Sequence, residues 1–189
     1  HQDESDDVYF IVSGNVRVIV YSASGKEVMF RDLNPGRIVG ELSAIDGKRR
    51  SASVFALTDS VLANMTADRF RRALRDHPEV AEKVMTYLVG LVRRLSDRVV
   101  EFSVLAVKNR IHVELLRLAR ERNADSNSVS ISPAPTHAEI ASRIGTHREA
   151  VTREMGALAR DGVVVRKEGS LIIQDVAQLA HMVETVLDE

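Results

Sequence analysis

The 189-residue sequence predicts an α+β protein, and three observations predict it. Residues 8–65 fall into short alternating runs punctuated by turn residues at roughly ten-position intervals, the pattern of a β sandwich or barrel. From Thr66 the apolar spacing switches to the helical period and holds it for about forty residues. Near the carboxyl end, Thr136-His137-Ala138-Glu139 and Thr146-His147-Arg148-Glu149 repeat the T-x-x-E capping signature ten residues apart, which sets two helices against each other across a tight corner.

Taken in order, the strand runs are VYFIV, VRVIVY and EVMFRDL, separated by Gly14-Asn15 and Ser22-Ala23-Ser24-Gly25 and closed by Asn34-Pro35-Gly36. After an irregular stretch, Ala52–Leu57 and Ser60–Met65 predict two more strands. Ala67–Arg75 predicts a short helix, and Asp76-His77-Pro78-Glu79 starts a long one reaching about Val107. Its apolar positions Val84, Leu88, Leu91, Leu95, Val99 and Phe102 approximate a heptad seam, which predicts pairing with a second copy. Lys108-Asn109 is the expected hinge. Domains are accordingly drawn at 1–75, 76–108 and 109–189.

Arg110–Arg122 continues as a helix with the stripe Ile111, Leu115, Leu118, and NADSNS (123–128) is a solvated loop. In the paired helices that follow, Ile140 and Ile144 share one face, and Val151, Met155 and Leu158 share another. Gly145 supplies the corner, where positive φ costs glycine nothing. The outer face of the second helix opens with Arg148, Glu149, Thr152 and Arg153, hydrogen-bonding groups that packing does not require. This is a helix-turn-helix whose second helix suits the DNA major groove, and it is preferred to an ordinary helical hairpin. Val163–Arg166 and Leu171–Gln174 flank Lys167-Glu168-Gly169-Ser170 as a hairpin wing, and Asp175–Leu187 closes the chain as a helix.

Composition bounds the reading. Apolar residues at 44% and charged residues at 28% are those of a globular protein, and no apolar run is long enough to span a membrane. The absence of cysteine excludes disulfides and thiolate-held iron–sulfur clusters and suits a cytoplasmic location. The formal net charge of −1 gives no basic footprint, so DNA affinity is expected to lean on dimerisation and to be strongly salt-dependent. No signal peptide is evident, and the chain opens in mid-pattern, as it would without its first segment.

One segment remains, GELSAIDGKRRSA (40–52). A short helical turn preceded by glycine and followed by two arginines can gather an anion such as phosphate. Glu41 would repel that anion unless it accepts from a hydroxyl of the same ligand, which suggests a ribose beside the phosphate. The alternative is a surface loop with a local Glu–Arg pair.

G-E-L-S…R-S-A in a β-rich domain, a long helix and a winged helix-turn-helix together resemble the CRP/FNR family of bacterial transcription regulators over essentially all of the chain. The resemblance implies an amino-terminal cyclic-nucleotide-binding β-roll (a double-stranded β-helix or jelly roll), a long dimerisation helix and a carboxyl-terminal winged helix-turn-helix. It implies that Gly40, Leu42 and Ser43 approach the ligand, that Glu41 holds the ribose 2′-hydroxyl, and that Arg50 and Ser51 take the cyclic phosphate. Arg148, Glu149 and Arg153 match base-reading positions, with Thr136, Thr146, His147 and Thr152 on the same DNA-facing surface. The expected effector is cyclic AMP, or cyclic GMP, with no metal. The expected partners are a palindromic operator, a second copy of the chain and RNA polymerase.

Three departures stand out against the family's type member. The cassette is one residue shorter between Gly40 and Arg50. The long helix is about three residues shorter, leaving Ser96 as the candidate base contact. Glu154 replaces an apolar residue beneath the reading helix. Relatives that sense haem-bound gases, redox state or metabolites, or that need no ligand, are the alternative. An enzyme is not expected: His137, Glu139 and His147 lack a third ligand spacing, and no catalytic triad or phosphate-transfer loop is present. A regulatory subunit acting on another protein is disfavoured by the helix-turn-helix.

Overall fold

Alternation and turn glycines fold residues 8–65 into two antiparallel three-stranded sheets. One has the order β4 (Ile38–Val39), β1 (Val8–Ser13), β6 (Val61–Met65); the other is β3 (Glu27–Leu33), β2 (Val16–Tyr21), β5 (Ser53–Ala56). Ile11 and Val39 from the first sheet meet Val16, Val18 and Leu33 from the second in one core, which makes the pair a β-roll. The short β4 strand has no signature in the sequence; it exists because Ile38 and Val39 pair with Phe10 and Tyr9. This is a computed structural model, and it describes residues 4–21, 27–122 and 126–187.

Helix α1 (Glu41–Asp46) follows β4, and α2 (Ala67–Asp76) follows β6. Val8, Ala44, Ala67 and Phe70 close a second small core beneath them. Helix α3 (Pro78–Val104) is the long helix. The chain divides into two compact units, 1–94 and 95–189, with the division inside α3.

Two expectations about α3 are corrected. First, the heptad seam is split: Val84 packs against the α1–α2 core and Leu91 is 8% exposed, so both are used within the first unit. The exposed apolar stripe there runs one residue over, at Met85, Val89 and Val92, each more than half exposed. Second, the helix breaks at Leu105-Ala106, and Lys108-Asn109 lie inside α4 (Val107–Arg122). Packing decides the break: Leu105 turns inward to 6% exposure, while Arg98 and Glu101 meet Glu114 and Arg117 of α4 at 3.0 and 2.6 Å.

In the second unit α4, α5 (His137–Arg143), α6 (Arg148–Arg160) and α7 (Val176–Leu187) surround a core in which Ile111, Leu115, Ile140, Ile144 and Val151 are fully buried. A three-stranded sheet ordered β7 (Val129–Ile131), β9 (Ser170–Ile173), β8 (Val164–Lys167) closes it. The wing is β8–β9, turned by Glu168 and Gly169 with φ of 51° and 75°, a two-residue loop of the kind a right-twisted hairpin prefers. Strand β7, which the sequence does not announce, pairs with β9 through Val129 and Ile173. Of the NADSNS loop, 123–125 lie outside the described residues.

Candidate functional site

The pocket segment is built around Gly40. It sits at φ 87°, where its carbonyl accepts from Arg50 Nη1 at 3.3 Å and begins α1 through the amide of Ala44. Gly47, at φ 68°, ends the helix by donating to the Ser43 carbonyl, and Arg71 of α2 holds the Ala44 carbonyl at 2.8 Å. The GELS…RSA spacing thus folds into a short braced turn, and the segment carrying Arg50 and Ser51 returns beside Gly40.

Glu41 and Ser43 are buried polar residues at 4% and 3% exposure, while Leu42 and Ser51 are exposed. Burial pushes the Glu41 carboxyl above its usual pKa; its own backbone amide, Arg31, Arg50 and a hydrogen bond from Tyr87 pull the other way. Arg50 donates to the carbonyl of Asp7 at 2.7 Å and to Ser5 Oγ at 3.1 Å, and lies 5.8 Å from the Tyr9 ring centroid. The family resemblance puts this guanidinium on a phosphate; among the described residues it is anchored to backbone oxygens at the mouth of α1. Ser96 is exposed on α3 and belongs to the second unit.

Two pocket residues are missing from the sequence-based expectation. Arg31 of β3 donates to the Tyr87 hydroxyl on α3, with its guanidinium 5.4 Å from the ring centroid, and both groups act electrostatically on Glu41. Nothing local announces them, because they come from elements 56 residues apart. Tyr87 breaks the apolar pattern of its helix, and that is the one available signal.

In the helix-turn-helix, Thr136 caps α5 as expected. Its Oγ1 accepts from the Glu139 amide at 3.1 Å, and the Glu139 carboxylate accepts from the Thr136 amide at 2.8 Å. The second capping box does not form. Thr146 belongs to the corner, its amide donating to the Ala141 carbonyl at 2.9 Å, and the N-cap of α6 is His147, without a side-chain cap. The turn claims Thr146 because Gly145, at φ 61°, leads straight into it.

Arg148, Glu149, Thr152 and Arg153 are exposed along α6, and Thr136 and His147 are exposed beside them, with Thr146 half-buried. His137 Nδ1 lies 2.8 Å from Thr152 Oγ1, tying the start of α5 to the face of α6. Burial, then the charges of Arg166 and Arg148, hold the His137 pKa below its usual value. From the wing, Arg166 donates to the Pro135 carbonyl at 2.6 Å. Beneath this face Glu154 turns inward to His112 of α4, Oε1 to Nε2 at 2.7 Å. Among the described residues no group of three His, Cys, Asp or Glu side chains is placed to hold a metal ion, and no helix is long and apolar enough to cross a membrane.

A nucleotide-type cassette on a β-roll, followed by a winged helix-turn-helix, defines a DNA-binding transcription regulator with a cyclic-nucleotide-binding domain. Residues 1–77 match the cyclic nucleotide-binding domain family, and residues 109–182 match the Crp-like helix-turn-helix domain. The cyclic AMP receptor protein of Thermus thermophilus is 31% identical over 183 residues, covering 95% of this chain and 81% of that protein. The cAMP-activated global transcriptional regulator CRP of Salmonella typhimurium is 30% identical over 175 residues, covering 92% and 83%. The crystal structure of a CRP/FNR-family transcriptional regulator, also from Thermus thermophilus, superposes with a TM-score of 0.76 at 26% identity, covering 96% of this chain and 89% of that one. The chain belongs to the CRP/FNR family and is a transcription regulator, not an enzyme.

Proposed function

We propose that the protein is a homodimeric, cytoplasmic regulator whose DNA binding is controlled by a cyclic nucleotide, with cyclic AMP the favoured effector. The observation that carries this is the buried Glu41 carboxylate at the start of α1, beside the Arg50 guanidinium. An acid and a cation side by side suit a ligand bearing both a hydroxyl and a phosphate on one ring. Glu41 accepts from the ribose 2′-hydroxyl, Arg50 and Ser51 meet the cyclic phosphate, and Gly40, Leu42 and Ser43 line the approach. Ser96 is the proposed base contact. The names of the 30–31% identical relatives support cyclic AMP in particular.

Two copies pair through the exposed stripe of α3, where Met85, Val89 and Val92 stand at 58%, 53% and 61% exposure. The dimer presents two α6 helices to successive major grooves of a palindromic operator, about 34 Å apart. Arg148 and Arg153 donate to guanine, and Glu149 accepts from cytosine. Thr136, Thr146, His147 and Thr152 serve the backbone and groove edge around them, and RNA polymerase is the further partner. Ligand shifts a pre-existing equilibrium between states of different DNA affinity.

Calorimetric titration with cyclic AMP and, separately, cyclic GMP tests the reading. Micromolar binding of one identifies the effector, and ligand-dependent retardation of operator DNA completes the assignment. Binding of neither by folded protein retires the nucleotide and redirects the search to other effectors.

A further inference from the structure

Glu154 stands on a side of α6 that apolar packing could have filled. Its neighbours there, Val151, Met155 and Leu158, are buried, yet Glu154 turns in beside them and accepts from His112 Nε2 of α4 at 2.7 Å. His112 is buried and the Glu154 side chain is 14% exposed, so the bond lies mostly out of water. For stability alone such a pair has little advantage over two apolar side chains of similar volume; what it adds is direction. Apolar contacts change slowly as a helix turns in its seat, whereas a hydrogen bond weakens steeply once stretched beyond about 3.2 Å or bent below about 120°. A second bond holds the same helix from another side. Thr152 Oγ1 donates to the Arg148 carbonyl at 3.0 Å and so accepts from His137 Nδ1 of α5 at 2.8 Å. Residues 152 and 154 lie about 200° apart around a helix, so α4 and α5 hold α6 from nearly opposite sides, with Arg153 midway between the two bonds. All of these residues belong to the second unit.

We propose that His112 and Glu154 are a positioning pair for DNA reading: their bond fixes the rotation of α6 about its own axis, and thereby which base edges Arg148 and Arg153 meet. The proposal rests on the reading of α6 as the base-reading helix. A turn of about 20° moves a group at the outer radius of a helix, about 6 Å from the axis, by about 2 Å. That displacement takes a guanidinium out of bidentate reach of a guanine. Attraction to the backbone phosphates falls off slowly with distance and is little changed. The pair therefore governs discrimination between sequences more than overall affinity.

The test measures affinity for two duplexes with cyclic AMP present: the sequence that wild-type protein enriches from a random pool, and random DNA of the same length. Glu154→Leu is expected to reduce the preference for the enriched sequence by about fivefold to a hundredfold, the effect of one misplaced bidentate contact, with random-DNA affinity little changed. Glu154→Gln keeps an oxygen for His112 and should keep the preference. The deciding variant combines Glu154→Leu with His112→Leu. It recovers most of its stability because no buried group is left unpaired, yet its preference should stay low, because two leucines give burial without direction. A double variant with wild-type preference would make the pair mere packing and overturn the proposal. A folded Glu154→Gln protein that discriminates no better than Glu154→Leu would overturn it too. Wild-type protein that enriches no sequence overturns the reading of α6 as well.

Discussion

Gly40 and Arg50 are locked together through the glycine backbone: a Cβ at Gly40 would collide with Arg50 Nη1 and lie 2.5 Å from the Asp7 carbonyl. Both backbone oxygens that hold Arg50 in place, those of Gly40 and Asp7, border that same missing side chain. The glycine at the head of the cassette therefore serves the arginine at its foot, besides adopting a φ of 87°.

Gly40→Ala should accordingly expel Arg50 from its seat. The left-handed backbone alone costs an alanine about 1–2 kcal/mol, which a domain of this size can bear. The expected result is a folded protein whose cyclic AMP affinity falls at least as far as that of Arg50→Ala. Wild-type affinity by calorimetry would separate Arg50 from the ligand.

Glu41→Gln should stabilise the first unit at neutral pH while weakening nucleotide binding. Burial raises the Glu41 pKa above 4.5, so the folded state holds its proton more tightly than the unfolded chain does. That contribution is fully present below about 4.5, the unfolded value, and is lost as pH rises through the folded value. Denaturant titrations of wild type and variant at pH 4.5 and pH 7 read it directly. A variant no more stable than wild type at pH 7 would mean that the carboxylate is not penalised.

The His112–Glu154 pair should be unequal to its parts. His112 is 1% exposed and its Nδ1 has no partner among the described residues, so removing Glu154 leaves an imidazole with two buried nitrogens unsatisfied. Glu154→Leu alone is expected to cost about 1–3 kcal/mol of unfolding free energy, and adding His112→Leu to return most of it. Strictly additive losses would show that the pair is not coupled.

His137 should make DNA binding pH-dependent. In the free protein its pKa is depressed by burial and by Arg166 and Arg148, so its contribution to folding stability is present above pH 6.5 and falls as pH drops toward the lowered value. A DNA phosphate beside these arginines offsets their charge and raises the His137 pKa in the complex. Affinity should then increase as pH falls from 7.5 to 5.5, and His137→Gln should flatten the profile in anisotropy titrations. A variant with the wild-type slope would assign the proton elsewhere.

Arg148→Ala should reduce discrimination between operator and random DNA by about 1–3 kcal/mol, with little change in nonspecific affinity. Equal losses on both DNAs would make Arg148 a phosphate contact.

The order of elements and the helix-turn-helix are legible in the sequence because each rests on local chemistry. Thr136 and Glu139 cap α5 whatever surrounds them, and Gly145 turns the corner at φ 61°. The T-x-x-E pattern at Thr146 is identical and yet fails, because the corner takes the Thr146 amide before the helix can begin. On α3 the apolar period does specify a helix, but periodicity does not say which face meets its own domain. Val84 goes to the α1–α2 core, leaving the stripe at Met85, Val89 and Val92.

By itself the sequence determined the strand-rich beginning, the long helix, the winged helix-turn-helix and the short glycine-led turn of residues 40–47, since turn residues, caps and spacings act between near neighbours. Tertiary structure alone decided that Arg31 reaches Tyr87, that His112 receives Glu154, and that α3 breaks at Leu105. Each of those joins side chains brought together from distant elements or from the far side of a break, where burial sets the partner and no local pattern records it.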